Sequence, residues 1–257
     1  MDSNVLEILR RPEMGYMFRE KNEANRERKG RKNYALPSEV KLLGASPSPF
    51  VLMARIALNN KSVEYEFIEE RLESKSQLLL QSNPIYKKIP VLIHRDKTHS
   101  EFFIIVQYVD DVWSSASPIV PSNPYDHAVA CFWAAAYIDE KWYPTMRSIR
   151  GAKGKDDKKR FIEEVRQGLA LLKDVFKSSS KGMAFYGGNQ IGFLDIALGS
   201  FLGWLRVTEI SNGVKLLDQS NTPELVKCDE RFCAHGVVKD VMPEIWKVVE
   251  FAKTLKC

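Results

Sequence analysis

The chain has 257 residues, 44% apolar and 28% charged, a globular composition that excludes disordered, collagen-like and coiled-coil classes. Its 38 Lys and Arg against 33 Asp and Glu leave a net +5 spread along the sequence, too mild to point to nucleic acid. No apolar run approaches the roughly 20 residues of a membrane span. The four cysteines, Cys131, Cys228, Cys233 and Cys257, form no C-x-x-C pair, so neither a zinc site nor a disulfide framework is expected.

Residues 1–38 hold nine Lys or Arg and six Asp or Glu around two short apolar clusters broken by Pro12 and Gly15. Their basic run 26–32 reads as part of a solvated, disordered extension rather than a nucleic-acid tail, since no aromatic stacking platform accompanies it. The start lacks the charged-then-apolar order of a secretory signal, which makes a reducing cytosol the expected compartment.

From Val40 the pattern changes. Val40 to Gly44 reads as a short buried strand, and Ser46-Pro47-Ser48-Pro49 as a turn into a helix on which Phe50, Met53, Ile56 and Ala57 recur at helical spacing. Glu64 to Ile68 alternates charged and apolar residues, a strand with one open face. A second helix is expected over 74–81, strands at Val91 to Ile93 and near Thr98, and a helix from Glu101 to Trp113. The order β-α-β-α-β-β-α makes a small α/β unit. Residues 114–124 are rich in turn and breaker residues and predict a linker. Three amphipathic stripes follow, through Phe132 and Tyr137, through Phe161 and Phe176, and through Phe193 and Trp204, predicting a helical bundle.

Three local features bear on chemistry. Ser48-Pro49 pairs a preferred N-cap with a residue favoured at the first helical position. That pattern fits a well-capped helix, and equally a hydroxyl placed beside open N–H groups where an anion such as a thiolate is stabilised. Ile89-Pro90 opens a strand after a surface turn and is a candidate cis peptide. Glu101 opens a helix, where a carboxylate favours the N-terminus in any case.

Together, Pro47-Ser48-Pro49-Phe50, the run 82–92 (SNPIYKKIPVL), Ile104 to Tyr108, Phe185-Tyr186-Gly187-Gly188 and Gly192-Phe193-Leu194-Asp195 resemble a plant tau-class glutathione S-transferase. The resemblance covers residues 39–257, in family order and spacing. It implies a thioredoxin-like domain over 39–117, a linker at 118–125, and an all-helical domain over 126–257 carrying a hydrophobic-substrate pocket. It also implies a homodimer without membrane or nucleic-acid partners. Glutathione would be co-substrate, with no metal or other cofactor. Ser48 matches the serine that donates a hydrogen bond to the glutathione sulfur and favours its thiolate. Lys75 and Lys88 match residues that meet the tripeptide's carboxylates, the Ile89 backbone pairs with its cysteinyl portion, and Glu101 receives its γ-glutamyl ammonium. Phe50, Tyr143 and Arg147 fall at pocket positions, and Asp195 matches a buried helix-capping aspartate.

Four positions depart from the family pattern. Phe102 replaces a serine at the glutathione site, and a hydrogen bond to a charged group is worth about 1.5–3 kcal/mol, or roughly 10- to 100-fold in affinity. Ser46 and Cys228 replace tryptophans, Cys228 being expected to reshape the apolar pocket. Ala134-Ala135-Ala136 is one residue longer than its family counterpart, which would turn the following helix by about 100° unless a bulge absorbs it. Two functions follow: conjugation of glutathione to hydrophobic electrophiles, with peroxide reduction beside it, or carriage of hydrophobic ligands on a fold with weak glutathione affinity.

Overall fold

The computed structural model describes residues 39–255, so the basic extension expected over 1–38 lies outside the described residues. The first unit runs β1 (Val40–Gly44), α1 (Pro49–Asn60), β2 (Glu66–Glu69), α2 (Gln77–Ser82), β3 (Val91–His94), β4 (Lys97–Ser100) and α3 (Phe102–Val112). The sheet order is β2-β1-β3-β4, with β1 and β2 parallel and the other pairs antiparallel. The element order is the expected one, and the arrangement is the thioredoxin-like one that the resemblance implies.

Alternation along the strands sorts the core into two layers. Leu42, paired with Leu92, packs with Leu52, Ile56, Ile105 and Val109 under α1 and α3. Leu43, paired with Val91, faces the other way and is covered by Leu79 of α2. Gly44 lets α1 approach the sheet, because a Cβ there would lie 2.5 Å from Val51 Cγ1. Several element boundaries differ from the expected ones, most at the starts of β2 and α2. Strand β2 starts at Glu66 because 62–65 close the preceding turn, Val63 N–H bonding Leu58 O at 2.9 Å. Helix α2 starts at Gln77 because Ser76 Oγ caps it, accepting from Leu79 N–H at 3.0 Å.

The second unit is helical: α4 (Pro124–Cys131), a wide-turned π-helical segment (Phe132–Trp142), α5 (Tyr143–Gly151), α6 (Lys155–Ser180), α7 (Phe193–Gly199), α8 (Leu202–Asn212), α9 (Pro223–Ala234), α10 (Gly236–Lys239) and α11 (Ile245–Thr254). Both junctions of the π segment keep right-handed helical backbone, so α4, the π segment and α5 form one continuous rod. The alanine triplet lies inside that segment, whose longer-range turns are of the kind that accommodates one added residue. Helix α6 packs along the rod, and a Cβ at Gly168 would lie 2.3 Å from Trp142 Cδ1.

The linker is held in place. Asp110 accepts the N–H groups of Ile119 and Val120 at 2.8 and 2.9 Å and pairs with buried Lys61 at 2.7 Å. Lys61 also donates to Ser117 O, and Phe193 N–H bonds Ile119 O. Breaker residues therefore mark a hydrogen-bonded strap whose Ile119 side chain is buried.

Candidate active site

Sheet register brings the motif-bearing loops to one end of the first unit. Leu43 of β1 is paired with Val91, and Val91 with Ser100. The turn after β1, the Lys88-Ile89-Pro90 approach to β3 and the Glu101 exit from β4 therefore meet at the same edge. Parallel β2 ends there as well, with Glu69 opposite Gly44, and delivers the loop that carries Lys75.

Ser48 sits at the N-cap of α1 with extended backbone (φ −73°, ψ 126°) and Pro49 at the first helical position. Its hydroxyl makes no capping bond, so the hydroxyl and the first-turn N–H groups are left for another partner. The residue is only 4% exposed. Its Oγ is nevertheless not among the sealed, unpartnered polar atoms, which among the described residues are His99 Nε2, Ser200 Oγ and Glu224 Oε2. The turn is pinned from both sides: Ser48 N–H bonds Ala45 O at 2.9 Å, and Trp204 Nε1 of α8 donates to Pro47 O at 3.2 Å. Neighbouring Ser46, in place of a tryptophan, joins a polar cluster, donating N–H to Glu69 and accepting from Arg55. The Arg55 guanidinium lies over the Phe67 ring.

The second loop is built by Asn83. Its Oδ1 accepts from Tyr86 N–H, its Nδ2 donates to Lys88 O, and its carbonyl accepts from Lys87 N–H. This Asx-type turn leaves Lys88 in solvent and Ile89 half-buried, and the Ile89–Pro90 bond is cis. Glu101 precedes α3 with φ +70°, a left-handed conformation that is costly for a residue with a side chain and concentrates at functional sites. Lys75, Lys88 and Glu101 are exposed, and none has an ion-pair partner among the described residues. Phe102 is half-buried, its ring 4.7 Å from Phe50 and 4.4 Å from Phe103.

Beyond Trp204 opens a cleft of about 600 Å³ between α5, α8 and α11. Tyr143 and Arg147 line it, as do Met146, Arg150, Lys158 and Trp204. Phe50 does not line it; its ring packs edge-on behind Tyr143, at 5.7 Å from both Tyr143 and Phe201. Burial raises the Tyr143 phenol above its ordinary range, against the opposing pull of Arg147 and Arg150. Arg150, Lys158 and Trp204 were not legible as site residues, because they lie on three helices whose association periodicity does not specify. Asp139 was missed for another reason: Asp139-Glu140-Lys141 reads as a solvated face. Burial, then the charges of Glu140 and Glu101, push its carboxyl up to about 6, so the π segment carries it into the electrostatic reach of the glutathione-site candidate Glu101.

Two further positions lie away from the cleft, one of them, Asp195, at the buried helix cap expected of it. Cys228 does not reshape the cleft; it lines a separate cavity of about 30 Å³ beside Asp195 and Tyr186, and burial pushes its thiol up to about 12. Asp195 is buried and accepts the N–H groups of Tyr186, Gly187 and Gly192 at 2.9–3.0 Å, tying the preceding loop to the start of α7. Among the described residues no His, Cys, Asp and Glu grouping could hold a metal ion, and no helix is long and apolar enough to cross a membrane.

Comparison with known proteins agrees with this fold. A family model for the glutathione S-transferase N-terminal domain matches residues 38–111. Glutathione S-transferase U17 of Arabidopsis thaliana is 56% identical over 219 residues, 85% of this chain and 96% of that protein. The tau-class glutathione S-transferase MiGSTU from mango, Mangifera indica, is 58% identical with a TM-score of 0.82, over 84% of this chain and 98% of its own. The rice enzyme OsGSTU1, solved in complex with glutathione, is 32% identical with a TM-score of 0.77, over 85% and 98% of the two chains.

Proposed function

The chain belongs to the tau class of glutathione S-transferases, and from that premise we propose that it joins glutathione to hydrophobic electrophiles at the edge where the Ser48 turn meets the α5–α8–α11 cleft. The observation that carries this reading is the Ser48 hydroxyl, which stands at a helix N-terminus without making a capping bond. A hydroxyl there donates to the glutathione sulfur, and the helix end adds favourable potential for its thiolate. Lys75 and Lys88 meet the two carboxylates, the Ile89 backbone pairs with the cysteinyl unit, and Glu101 takes the ammonium. The Phe102 N–H bonds the γ-glutamyl carboxylate without the hydroxyl that a serine would add. The bound thiolate attacks an electrophilic carbon held in the cleft: a C–S bond forms while a leaving group departs with its electron pair, or while a π pair shifts to oxygen and a proton is taken up.

Exposed apolar side chains support a homodimer. Tyr86 is 58% exposed and Ile104 55%, on the sheet-edge unit, and Phe132 is 56% exposed on the helical rod. A cytosolic location and a role in detoxification under stress belong to the same proposal. The test is a glutathione titration followed by thiolate absorbance, with and without chlorodinitrobenzene. Wild type shows thiolate near neutrality and turnover. Ser48→Ala binds glutathione but leaves it protonated and loses turnover by about 100-fold or more; retained thiolate in that variant refutes the assignment.

A second reading, a carrier of hydrophobic ligands with weak glutathione affinity, is favoured by one observation, the commitment of the Phe102 ring to Phe50 and Phe103. Ligand uptake by the wild type without measurable glutathione binding would select it.

A further inference from the structure

The wall of the cleft is apolar at its floor and basic at its rim. Tyr143, Met146, Trp204 and Val249 are buried, whereas Arg147, Arg150, Lys158 and Lys253 are exposed cations, and among the described residues no acidic one lines the cleft. Two of the cations already have partners: Arg150 Nη1 donates to Ala252 O at 2.9 Å, bracing α5 against α11, and Lys253 is paired with Glu250. Arg147 and Lys158 have no acidic partner among the described residues. The acids nearest Lys158 in sequence do not compensate it, since Asp157 is paired with Arg160 and neither Asp156 nor Asp157 lines the cleft.

Neither cation is explained by its own helix. Lys158 stands in the first turn of α6, where a positive charge opposes the helix dipole. The Arg147 guanidinium lies 5.9 Å from the Tyr143 ring centroid, which fixes it over the cleft wall. A cleft serving neutral apolar molecules gains nothing from these charges and loses by desolvating them on closure. An anionic head on an apolar body satisfies both: the body covers the floor and the head meets the two unpaired cations.

We infer that the second substrate of this cleft is an amphipathic organic anion, an apolar electrophile bearing a carboxylate, held by Arg147 and Lys158 with its reactive carbon toward Ser48. The inference rests on the conjugation reading above. For an unsaturated ketone the glutathione sulfur bonds the terminal alkene carbon, the π pair moves to the carbonyl oxygen as an enolate, and the adjacent carbon takes a proton from water; nothing leaves.

Ethacrynic acid and its methyl ester share one enone and differ in one charge, and so form the test pair, with neutral chlorodinitrobenzene as control. Wild type conjugates the acid with a kcat/KM about fivefold or more above the ester, after correction for the uncatalysed rates, the scale of a half-exposed charge pair. Rising salt erodes that preference through KM. Arg147→Gln with Lys158→Gln brings the acid-to-ester ratio toward one, whereas Lys158→Arg alone, which keeps the charge, preserves it. An acid-to-ester ratio near one in wild type, or one indifferent to salt, overturns the inference while turnover of chlorodinitrobenzene leaves conjugation standing. Loss of all three activities overturns the conjugation reading itself. The salt series needs no variant, so misfolding of the double variant leaves the test intact.

Discussion

In the proposed glutathione site the Phe102 backbone N–H meets the γ-glutamyl carboxylate, while its ring packs against Phe50 and Phe103. The ring joins α3 to α1, and through Phe50 to Tyr143 on the cleft wall. A serine there would exchange packing for a hydroxyl. Phe102→Ser is expected to tighten glutathione binding by about tenfold, the worth of one hydrogen bond to a charged group. The same change removes two aromatic pairs and part of a buried surface, at a stability loss of about 1–3 kcal/mol. Isothermal titration and a thermal melt on one preparation read both effects. Unchanged affinity would show that the missing hydroxyl does not limit the site. Asp195 is the opposite case, a residue whose role is entirely architectural. It accepts three backbone N–H groups from inside the protein. Asp195→Ala orphans all three and should lower stability by roughly 3–5 kcal/mol in denaturant titrations, with little left to assay for function.

The π segment gives the element scale its sharpest test. If its wide turns exist to absorb one alanine, deleting Ala135 should return the rod to ordinary α-helix with both faces still in phase. The deletion variant is then expected to keep or raise its Tm, whereas the same deletion inside a regular helix rotates everything beyond it by about 100° and unfolds it. A large fall in Tm would mean that the π geometry is set by packing against Trp142 and Gly168 instead. This element also shows where sequence reading stops. Period-two alternation located β2, and period-3.6 stripes located α1 and the helices through Phe132, Phe161 and Phe193, because burial of a face imposes them. The turn at 46–49 and the cis bond before Pro90 were legible from residue chemistry. Which helices would meet, and so which residues line the cleft, depends on tertiary packing, and Arg150 and Lys158 carry no local mark. Asp139 illustrates the same limit. Its sequence neighbours are charged, and only the path of the rod decides that it is half-buried and faces the charge of Glu101. At 114–124, turn-formers look alike whether loose or strapped down, and only Asp110 and Lys61, far apart in sequence, make this segment a strap.

At the scale of the molecule, that strap couples the two units. Lys61→Met leaves the Asp110 carboxylate without its buried cation, a change that costs about 3–5 kcal/mol where no other donors remain and less here, since two N–H groups stay. A double-mutant cycle with Asp110→Asn in urea unfolding should recover part of the loss, because removing both charges leaves neither unpaired. Stability should also carry a signature of Asp139. Its carboxyl is raised to about 6 in the folded chain, with burial the main cause, against about 3.9 when unfolded. Between those values the folded state binds the proton and the unfolded state does not, so this group's contribution falls as pH rises through that window and is flat above it. His99 acts in the opposite sense: burial lowers its pKa, so its contribution rises with pH up to the unfolded value near 6.5. The wild-type profile sums both, and the difference between wild type and Asp139→Asn isolates one. Asp139→Asn is expected to be more stable than wild type by about 1–3 kcal/mol at pH 7.5, with the gain shrinking to near zero by about pH 4. A gain independent of pH would place the benefit in packing and not in the charge that burial and Glu101 oppose.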